Sequence, residues 1–487
     1  MAPAEVHWRS LGVPGLLHPS SGMLPAGARV AVVGPSGCGK TLFLRALAGR
    51  QRGASGCVAP AADAVDLCPQ AAPWADGARV GETVEFHAKC RAQPAAAARR
   101  VLANVGLGRC SGRQVGALSG GQSTRLRVAC ALLGGGSVVL LDEPLSGLDA
   151  PTAEGLLDTV AALSGTTVVL SLHQPSQRIW ARFDHVVMLA AGHVVMHGPP
   201  ELCVAVARRG LARCAVGGLS DAEAVAAFLG GWEPGAGGVH PAELAGTSLP
   251  PAPPRPARAR AGWCAQTGAL LARGERAYRR ENFLPRVGAA LALGVLTALV
   301  CARATEWDFG GVVGYVVMLQ AVFPLVSLGA LLRHRDVFRA ERAAGLYAPS
   351  AHFAAHVVLE LFYSAAAVAA LVLPVWAALQ PAPLPDLLSF CLGVHLFSNF
   401  VTQTAGHALG GFQACFNASV MLASLNLLGS GIVVPVRSIP WALGWVATTS
   451  PARIAYDCLD FGSCVHWEMG VAVALAALGC LAAAVRF

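Results

Sequence analysis

Two kinds of hydrophobic pattern divide the chain. Up to about residue 232, short apolar runs (Val30–Val33, Val138–Leu141, Thr166–Leu170) alternate with helical stretches and glycine turns, which predicts strands of an α/β domain. Beyond residue 262 the runs lengthen and lose their charges. No Asp, Glu, Lys or Arg falls between Arg286 and Arg303, between Asp308 and Arg333, between Glu360 and Asp386, or between Glu468 and Arg486. The stretch from Asp386 to Arg437 is also uncharged, roughly two span lengths, with GHALGGFQ (Gly406–Gln413) as a hinge in its middle. A helix rising about 1.5 Å per residue crosses about 30 Å of hydrocarbon in such a run. About six spans are predicted, near residues 287–303, 309–332, 352–379, 386–409, 413–435 and 468–486, in an all-α polytopic domain over 287–487.

Two further segments join these halves. Residues 233–262 (EPGAGGVHPAELAGTSLPPAPPRPARARAG) are rich in Pro, Gly and Ala and read as a linker. Residues 263–286 open with WCAQTGALLARGERAYRREN, aromatic and apolar residues among arginines, and read as a connecting helix on the membrane surface. An ordinary exposed amphipathic helix is the alternative. Basic residues set the orientation. Arg273, Arg276, Arg279, Arg280 and Arg286 precede the first span, and Arg333, Arg335, Arg339 and Arg342 lie between the second and third. The loops ATEWDFG and QPAPLPD carry no positive charge. Both termini and the first domain are therefore expected in the cytosol, in keeping with an N-terminus that lacks the apolar core of a signal peptide.

Composition agrees. The chain is 54% hydrophobic and 13% charged, against about 25% charged in ordinary soluble domains, and its mean hydropathy is +0.54. Disorder and a fully soluble enzyme are excluded. The net charge of +8 suits cytoplasmic loops facing anionic lipid rather than nucleic-acid binding. The 15 cysteines show no CxxC pair or zinc spacing and read as small buried hydrophobes.

The chemistry lies in the first half. GPSGCGKT (Gly34, Pro35, Ser36, Gly37, Cys38, Gly39, Lys40, Thr41) follows the strand-like ARVAVV and precedes the helical LFLRALAG, the context a phosphate-binding loop requires. Its glycines let backbone N–H groups wrap phosphate oxygens at a helix N-terminus. Lys40 is expected to reach the β- and γ-phosphates, and the Thr41 hydroxyl to ligate Mg²⁺. SVVLLDEP (Ser137–Pro144) is an apolar strand ending in two carboxylates. Asp142 is placed to hold Mg²⁺ through water, and Glu143 to polarise an attacking water. LSGGQ (Leu118–Gln122) opens the helical STRLRVACALL.

The order phosphate loop, Gln70, LSGGQ, LLDEP, SGLD (Ser146–Asp149), His173 resembles the ATP-binding cassette of ABC transporters over essentially residues 1–232. SLHQPS (Ser171–Ser176), ERAAGLYAPSAHFAAHVVLELF from Glu341, IPWALGWVATTSPARIAYDCL (Ile439–Leu459) and FDHVVMLAAGHVVMHGPP from Phe183 narrow this to the ABCG (White) half-transporters. The resemblance implies a P-loop NTPase cassette binding ATP and Mg²⁺, and a homo- or heterodimer with a second half-transporter. In it, ATP lies between one subunit's phosphate loop and the other's Ser119, Gly120, Gly121 and Gln122. By the same analogy Gln70 couples the Mg²⁺ site to the membrane domain, Asp149 communicates across the dimer, and His173 contacts the γ-phosphate and steadies water with Glu143. It further implies ATP-driven export of lipids, sterols or other hydrophobic small molecules, with membrane lipid as surroundings and no nucleic-acid partner. The plasma membrane is the expected location, and an organelle membrane stays open. A regulatory partner half with little ATPase of its own, and a transporter of more polar cargo, stay open too.

Smaller features carry alternatives. Trp8 is the upstream aromatic available to stack on adenine, or a plain strand aromatic. Cys38 is an oxidisable thiol or a small filler between glycines. Cys458 and Cys464 fall in the segment expected outside and are spaced for a disulfide. Glu360, at the cytoplasmic end of the third span, is a functional carboxylate or the partner of a loop arginine at the interface. Asn399, Thr402, Gln403 and Thr404, with Phe412, Phe416, Asn417 and Asn426, place polar and aromatic groups around the fourth and fifth spans. Phe416 and Asn426 are candidates for lining the cargo cavity, and helix–helix hydrogen bonds are the alternative for the polar ones.

Overall fold

The computed structural model describes residues 4–60, 65–71, 73–75, 77–163, 165–211, 219–234, 261–281, 283–303, 309–430, 435–440, 450–453, 473–479 and 482. They fall into two compact units, residues 1–74, 78–261 and 343–346, and residues 75–77, 262–342 and 347–487. Most of the linker, the segment holding Cys458 and Cys464, and the predicted sixth span apart from a helical piece at 473–479 lie outside the described residues.

The first unit runs β1 (Val6–Val13), β2 (Leu17–Leu24), β3 (Arg29–Val33), α1 (Lys40–Leu47), β4 (Ser55–Ala59), β5 (Val65–Cys68), α2 (Val80–Cys90), α3 (Ala95–Asn104), α4 (Gly120–Leu132), β6 (Val138–Leu141), α5 (Ala150–Ala161), β7 (Thr167–Leu172), α6 (Gln177–Trp180), β8 (His185–Ala190), β9 (His193–Gly198), α7 (Pro200–Leu211) and α8 (Asp221–Gly230). Six strands form one sheet in the order β5-β6-β7-β3-β8-β9, parallel except for the last pair. The register sets Leu141 beside Leu170 and Val33 beside Leu172. Its central strands β6, β7 and β8 are buried at every position, as expected of parallel strands covered on both faces, and this is why they read as unbroken apolar runs. Val33, Leu141 and Leu170 face one core, and Val32, Leu140 and Val169 the other. Strands β2, β1 and β4 make a separate antiparallel sheet.

This order matters for the site. Strands β5, β6, β7 and β3 are neighbours, so the segments leaving their carboxyl ends meet along one edge of the sheet. That edge is where open α/β sheets place ligands.

The second unit is helical: α9 (Trp263–Glu281), α10 (Phe283–Arg303), α11 (Phe309–Val322), α12 (Leu328–Ala343), α13 (Pro349–Leu379), α14 (Leu384–Ala408) and α15 (Phe412–Gly429). Among the described residues α10, α13, α14 and α15 are each long and apolar enough to cross a membrane. The pair Val312–Val326 and Leu328–Ala343, bent by 44°, makes a fifth if it is counted as one broken span. Its apolar pattern ends near Leu332, yet the helix continues to Ala343. Arg335 accounts for part of this, because its Nη1 donates to the carbonyls of Gly406 (2.7 Å) and Leu409 (2.8 Å) at the end of α14. Arg339 Nη2 donates to the His407 carbonyl at 2.9 Å. A positive group on the open carbonyls of a helix C-terminus is favourable both as a hydrogen bond and by dipole. Helix α10 lies close on α13 where Gly294 leaves room, since a Cβ there would sit 2.4 Å from the Leu371 carbonyl oxygen.

Candidate functional site

The loop Gly34–Gly39 leaves β3 and enters α1 through two left-handed glycines, Gly37 (φ 79°) and Gly39 (φ 102°), a region costly for residues with a Cβ. Gly34 is required for a different reason. A Cβ on it would lie 2.3 Å from the Leu189 carbonyl oxygen and 2.5 Å from Cys38 Sγ. Lys40, the first residue of α1, folds back so that Nζ donates to the carbonyls of Gly34 (2.8 Å) and Pro35 (3.0 Å). Cys38 is buried, and that burial pushes its thiol pKa up against the opposing pull of Lys40. The inert-filler reading therefore holds, since a reactive thiol needs the opposite shift.

A continuous hydrogen-bond chain joins four strand ends. Thr41 Oγ1 donates to Asp142 Oδ1 (3.1 Å), and Ser171 Oγ donates to the same oxygen (2.7 Å). The Glu143 backbone N–H donates to Ser171 Oγ (2.8 Å). Gln70 Nε2 donates to Glu143 Oε2 (2.6 Å). The Asp142 N–H bonds the Cys68 carbonyl (2.9 Å), which aligns the ends of β5 and β6. Glu143 itself sits in left-handed backbone, φ 46°, a conformation that surroundings must hold in place. Ser36, Glu143, Ser171 and His173 line one open cleft of about 500 Å³. Thr41 and Asp142 thus offer a hydroxyl and a carboxylate, hard oxygen donors of the kind Mg²⁺ takes, beside a loop shaped for phosphate.

LSGGQ opens α4. Ser119 caps α4 in a reciprocal box, the Gln122 N–H donating to Ser119 Oγ (3.3 Å) and the Ser119 N–H to Gln122 Oε1 (3.2 Å). Gly120 and Gly121 form the first turn, and Gly121 packs where a Cβ would meet Leu148 at 2.9 Å. None of Ser119 to Gln122 lines the cleft. Asp149 caps α5.

Ser171 was visible in the sequence only as the first letter of SLHQPS, and its role was not legible there. The signal lay in position: a serine next to the end of the apolar strand TVVLSL, two residues before His173. Of the two readings of Trp8, its surroundings fit the plain strand aromatic. It is 1% exposed, packs edge-on against Phe43 with ring centres 5.5 Å apart, and donates through Nε1 to Ser20 Oγ (3.2 Å). It is a core residue with no face free for a base.

In the helical unit, Glu360 does pair with an arginine, though one within α10 rather than a loop. Arg286 is buried and its Nη1 lies 3.4 Å from Glu360 Oε2. Asn399 Nδ2 donates to the same oxygen (2.6 Å), and the Tyr278 hydroxyl to Oε1. Arg286 Nη2 continues to Ser364 Oγ (3.3 Å) and His395 Nε2 (2.9 Å), and His395 Nδ1 to Gln320 Oε1 (3.0 Å). Gln403 bonds His356 (2.9 Å), while Thr404 donates to the Phe400 carbonyl within its own helix. Asn426 Oδ1 accepts from Ser450 Oγ (2.7 Å), an anchoring contact. Phe416 and Phe412 stack on an exposed face, and Asn417 accepts from Gln413 (3.0 Å).

Comparison with known proteins matches both units. Residues 17–146 match the ABC transporter family, and residues 265–461 the ABC-2 type transporter family. ABC transporter G family member 12 of Dictyostelium discoideum is 25% identical, over 91% of this chain and 77% of its own length. ABC transporter G family member 14 of Arabidopsis thaliana is 28% identical, over 91% of this chain and 78% of its own. ABC transporter G family member STR2 of Petunia hybrida is 33% identical over a shorter match, 38% of this chain and 29% of its own. A phosphate loop on a parallel sheet, a chain of acidic and amide groups at the neighbouring strand ends, and apolar spans following in the same polypeptide accord with these matches, and the chain belongs to the ABC transporter G family as an ATP-hydrolysing half-transporter.

Proposed function

We propose that the chain exports lipids, sterols or other hydrophobic small molecules, working as a dimer with a second half-transporter. In this reading Gly34–Gly39 and Lys40 hold the phosphates of ATP. Thr41, Asp142 and Gln70 surround Mg²⁺, which when bound neutralises phosphate oxygens. Glu143 orients the attacking water and His173 meets the γ-phosphate. Ser119, Gly120, Gly121 and Gln122 act on the nucleotide of the partner subunit, with Asp149 at the same junction. None of the four lines the cleft of its own subunit, although Gly121 packs on Leu148, which does, and a helix N-terminus that serves no phosphate of its own subunit is available to another's. The cassette and both termini face the cytosol, at the plasma membrane.

The observation that carries the reading is the chain Thr41–Asp142–Ser171–Glu143–Gln70, which fixes a metal-type oxygen pair and a general-base carboxylate at adjacent strand ends. The uncharged character of the membrane half supports apolar cargo. The test is Mg²⁺-dependent ATPase of the purified protein in lipid discs, beside Glu143→Gln, with oligomeric state recorded and sterols and phospholipids added in turn. Hydrolysis by a dimer, lost in Glu143→Gln and stimulated by an apolar lipid, is expected. Stimulation only by polar solutes would refute the cargo class, and activity in a monomer would refute the dimer.

A further inference from the structure

Helices α9, α12, α13 and α14 enclose a cavity of about 100 Å³ within the helical unit. That is of the order of the roughly 150 Å³ cavity that admits benzene in an apolar core. One part of its wall is apolar, with Leu270, Phe338, Phe353 and Leu359. A polar part of the wall includes His352, His356 and His407. The rings are ordered: His352 lies 4.3 Å from Phe338 and nearly parallel to it, and His352 and His356 are parallel with centres 6.3 Å apart. His356 is held by Gln403. The imidazoles of His352 and His407 make no side-chain hydrogen bond among the described residues, although His407 is only 9% exposed. His352 is half-buried and His407 buried, and both line the cavity, so their ring nitrogens are available to a guest.

The charges around the cavity are already matched. Arg273 is gripped by Glu341 through both nitrogens, Arg286 by Glu360, and Arg335 by two carbonyls. A charged guest would lose its hydration without finding a free counter-charge, whereas a hydroxyl gains imidazole partners that both donate and accept. The cavity also touches a tight helix contact. Leu359 lines it and faces Gly274 of α9, where a Cβ would lie 2.4 Å from Leu359 Cδ1. An occupant therefore sets the position of Leu359, and with it the spacing of α9 and α13. Helix α9 is the segment through which the chain passes from the cassette to the spans.

We propose that this cavity is a regulatory ligand site for a compact, uncharged molecule of about one ring bearing a hydroxyl, and that its occupancy changes the rate of ATP hydrolysis.

The experiment uses the full chain in lipid discs, with 4-fluorophenol followed by ¹⁹F NMR and by ATPase rate. 4-Fluoroanisole and 4-fluorobenzoate serve as comparators. For eight non-hydrogen atoms a saturable component with a dissociation constant of about 1 mM is expected, with the ATPase rate changing over the same range. Ala277→Phe and Ala330→Phe fill the cavity from α9 and α12 and should each weaken the saturable component at least tenfold. His352→Leu should erase a preference of about tenfold for the phenol over the anisole, the worth of one hydrogen bond. Uptake that is non-saturable and equal in the wild type and both filled variants is lipid partitioning and overturns the site. Equal or tighter binding of the benzoate overturns the ligand class, and saturable binding with an unchanged ATPase rate overturns the regulation. Should either filled variant fail to fold, the phenol–anisole comparison in His352→Leu decides alone.

Discussion

Replacing Ser171 by alanine should slow ATP hydrolysis 10- to 100-fold while leaving nucleotide affinity within about threefold. Ser171 is fully buried, and its hydroxyl makes two bonds that nothing nearby replaces, one to Asp142 Oδ1 (2.7 Å) and one from the Glu143 N–H (2.8 Å). Removal strands a backbone N–H, at about 1–3 kcal/mol, and withdraws a charge-assisted bond from Asp142. The larger effect is geometric. Glu143 occupies left-handed backbone (φ 46°), which a residue with a Cβ adopts at a cost of about 1–2 kcal/mol. Without the Ser171 anchor the backbone is free to relax and carry the carboxylate with it. A misplacement of about 1 Å in a catalytic group is worth up to about 100-fold in rate, and 10- to 100-fold corresponds to about 1.4–2.7 kcal/mol of barrier. The phosphate loop is untouched, because Lys40 and the Gly34–Gly39 backbone make no bond to Ser171. The assay is single-turnover hydrolysis with nucleotide binding measured in parallel, and Ser171→Thr, which keeps the hydroxyl, should recover much of the rate. An alanine variant with wild-type turnover would refute the claim that this hydroxyl positions Glu143. Equal loss of binding and turnover would show general damage instead.

Three further outcomes are expected. Glu360→Leu should destabilise the protein in lipid by about 3–5 kcal/mol by leaving Arg286 buried without its carboxylate, and Glu360→Leu with Arg286→Leu should be milder than Glu360→Leu alone, as read by thermal inactivation. Trp8→Ala should cost about 3–5 kcal/mol of cassette stability through the cavity it leaves against Phe43, with ATP affinity unchanged in the fraction that remains folded. Burial, helped by the neighbouring His197, lowers the pKa of His185 from 6.5 to about 4. Between those values the unfolded chain binds the extra proton, so cassette stability should fall as pH drops from about 6.5 towards 4, and a pH series of melting temperatures should flatten over that window in His185→Gln.

In the cassette, what was legible followed the backbone, and what was hidden depended on side chains meeting. The runs Val30–Val33 and Val138–Leu141 could be read as strands because both faces of a parallel sheet are covered, so every position is apolar. The phosphate loop could be read because left-handed glycines are a local requirement, met by Gly37 and Gly39 whatever surrounds them. Residues 41, 70, 142 and 171 are spread over more than a hundred positions, and only the strand order β5-β6-β7-β3 makes them neighbours. That order is not a local property of any segment. Trp8 illustrates the opposite hazard: its exposure depends on β2 and α1 folding over it, and a strand aromatic looks the same on paper whether or not they do.

The membrane half was legible by the absence of charge, and that criterion concealed its polar centre. A scan for Asp, Glu, Lys and Arg passes over Gln320 and His395, and Asn399 stood out only as one polar residue of the fourth span, yet these lie in one hydrogen-bonded group with Arg286 and Glu360. Counting charges also assigned Arg286 to the flank of the first span, where its cost would be small. In the structure it lies inside α10 and is buried. A lone guanidinium there is expensive to hold away from water, and the expense falls only when several partners from other helices arrive together. Arg286 finds them on α13 and α14, as Glu360, Ser364 and His395, while Tyr278 of α9 reaches Glu360 from the other side. The apolar contacts among these helices are non-directional and would tolerate rotation or sliding about a helix axis. The polar group does not, since turning α13 would separate Glu360 from three donors at once. Its consequence is therefore a single register for α9, α10, α13 and α14, set by directional bonds within an otherwise interchangeable apolar surface.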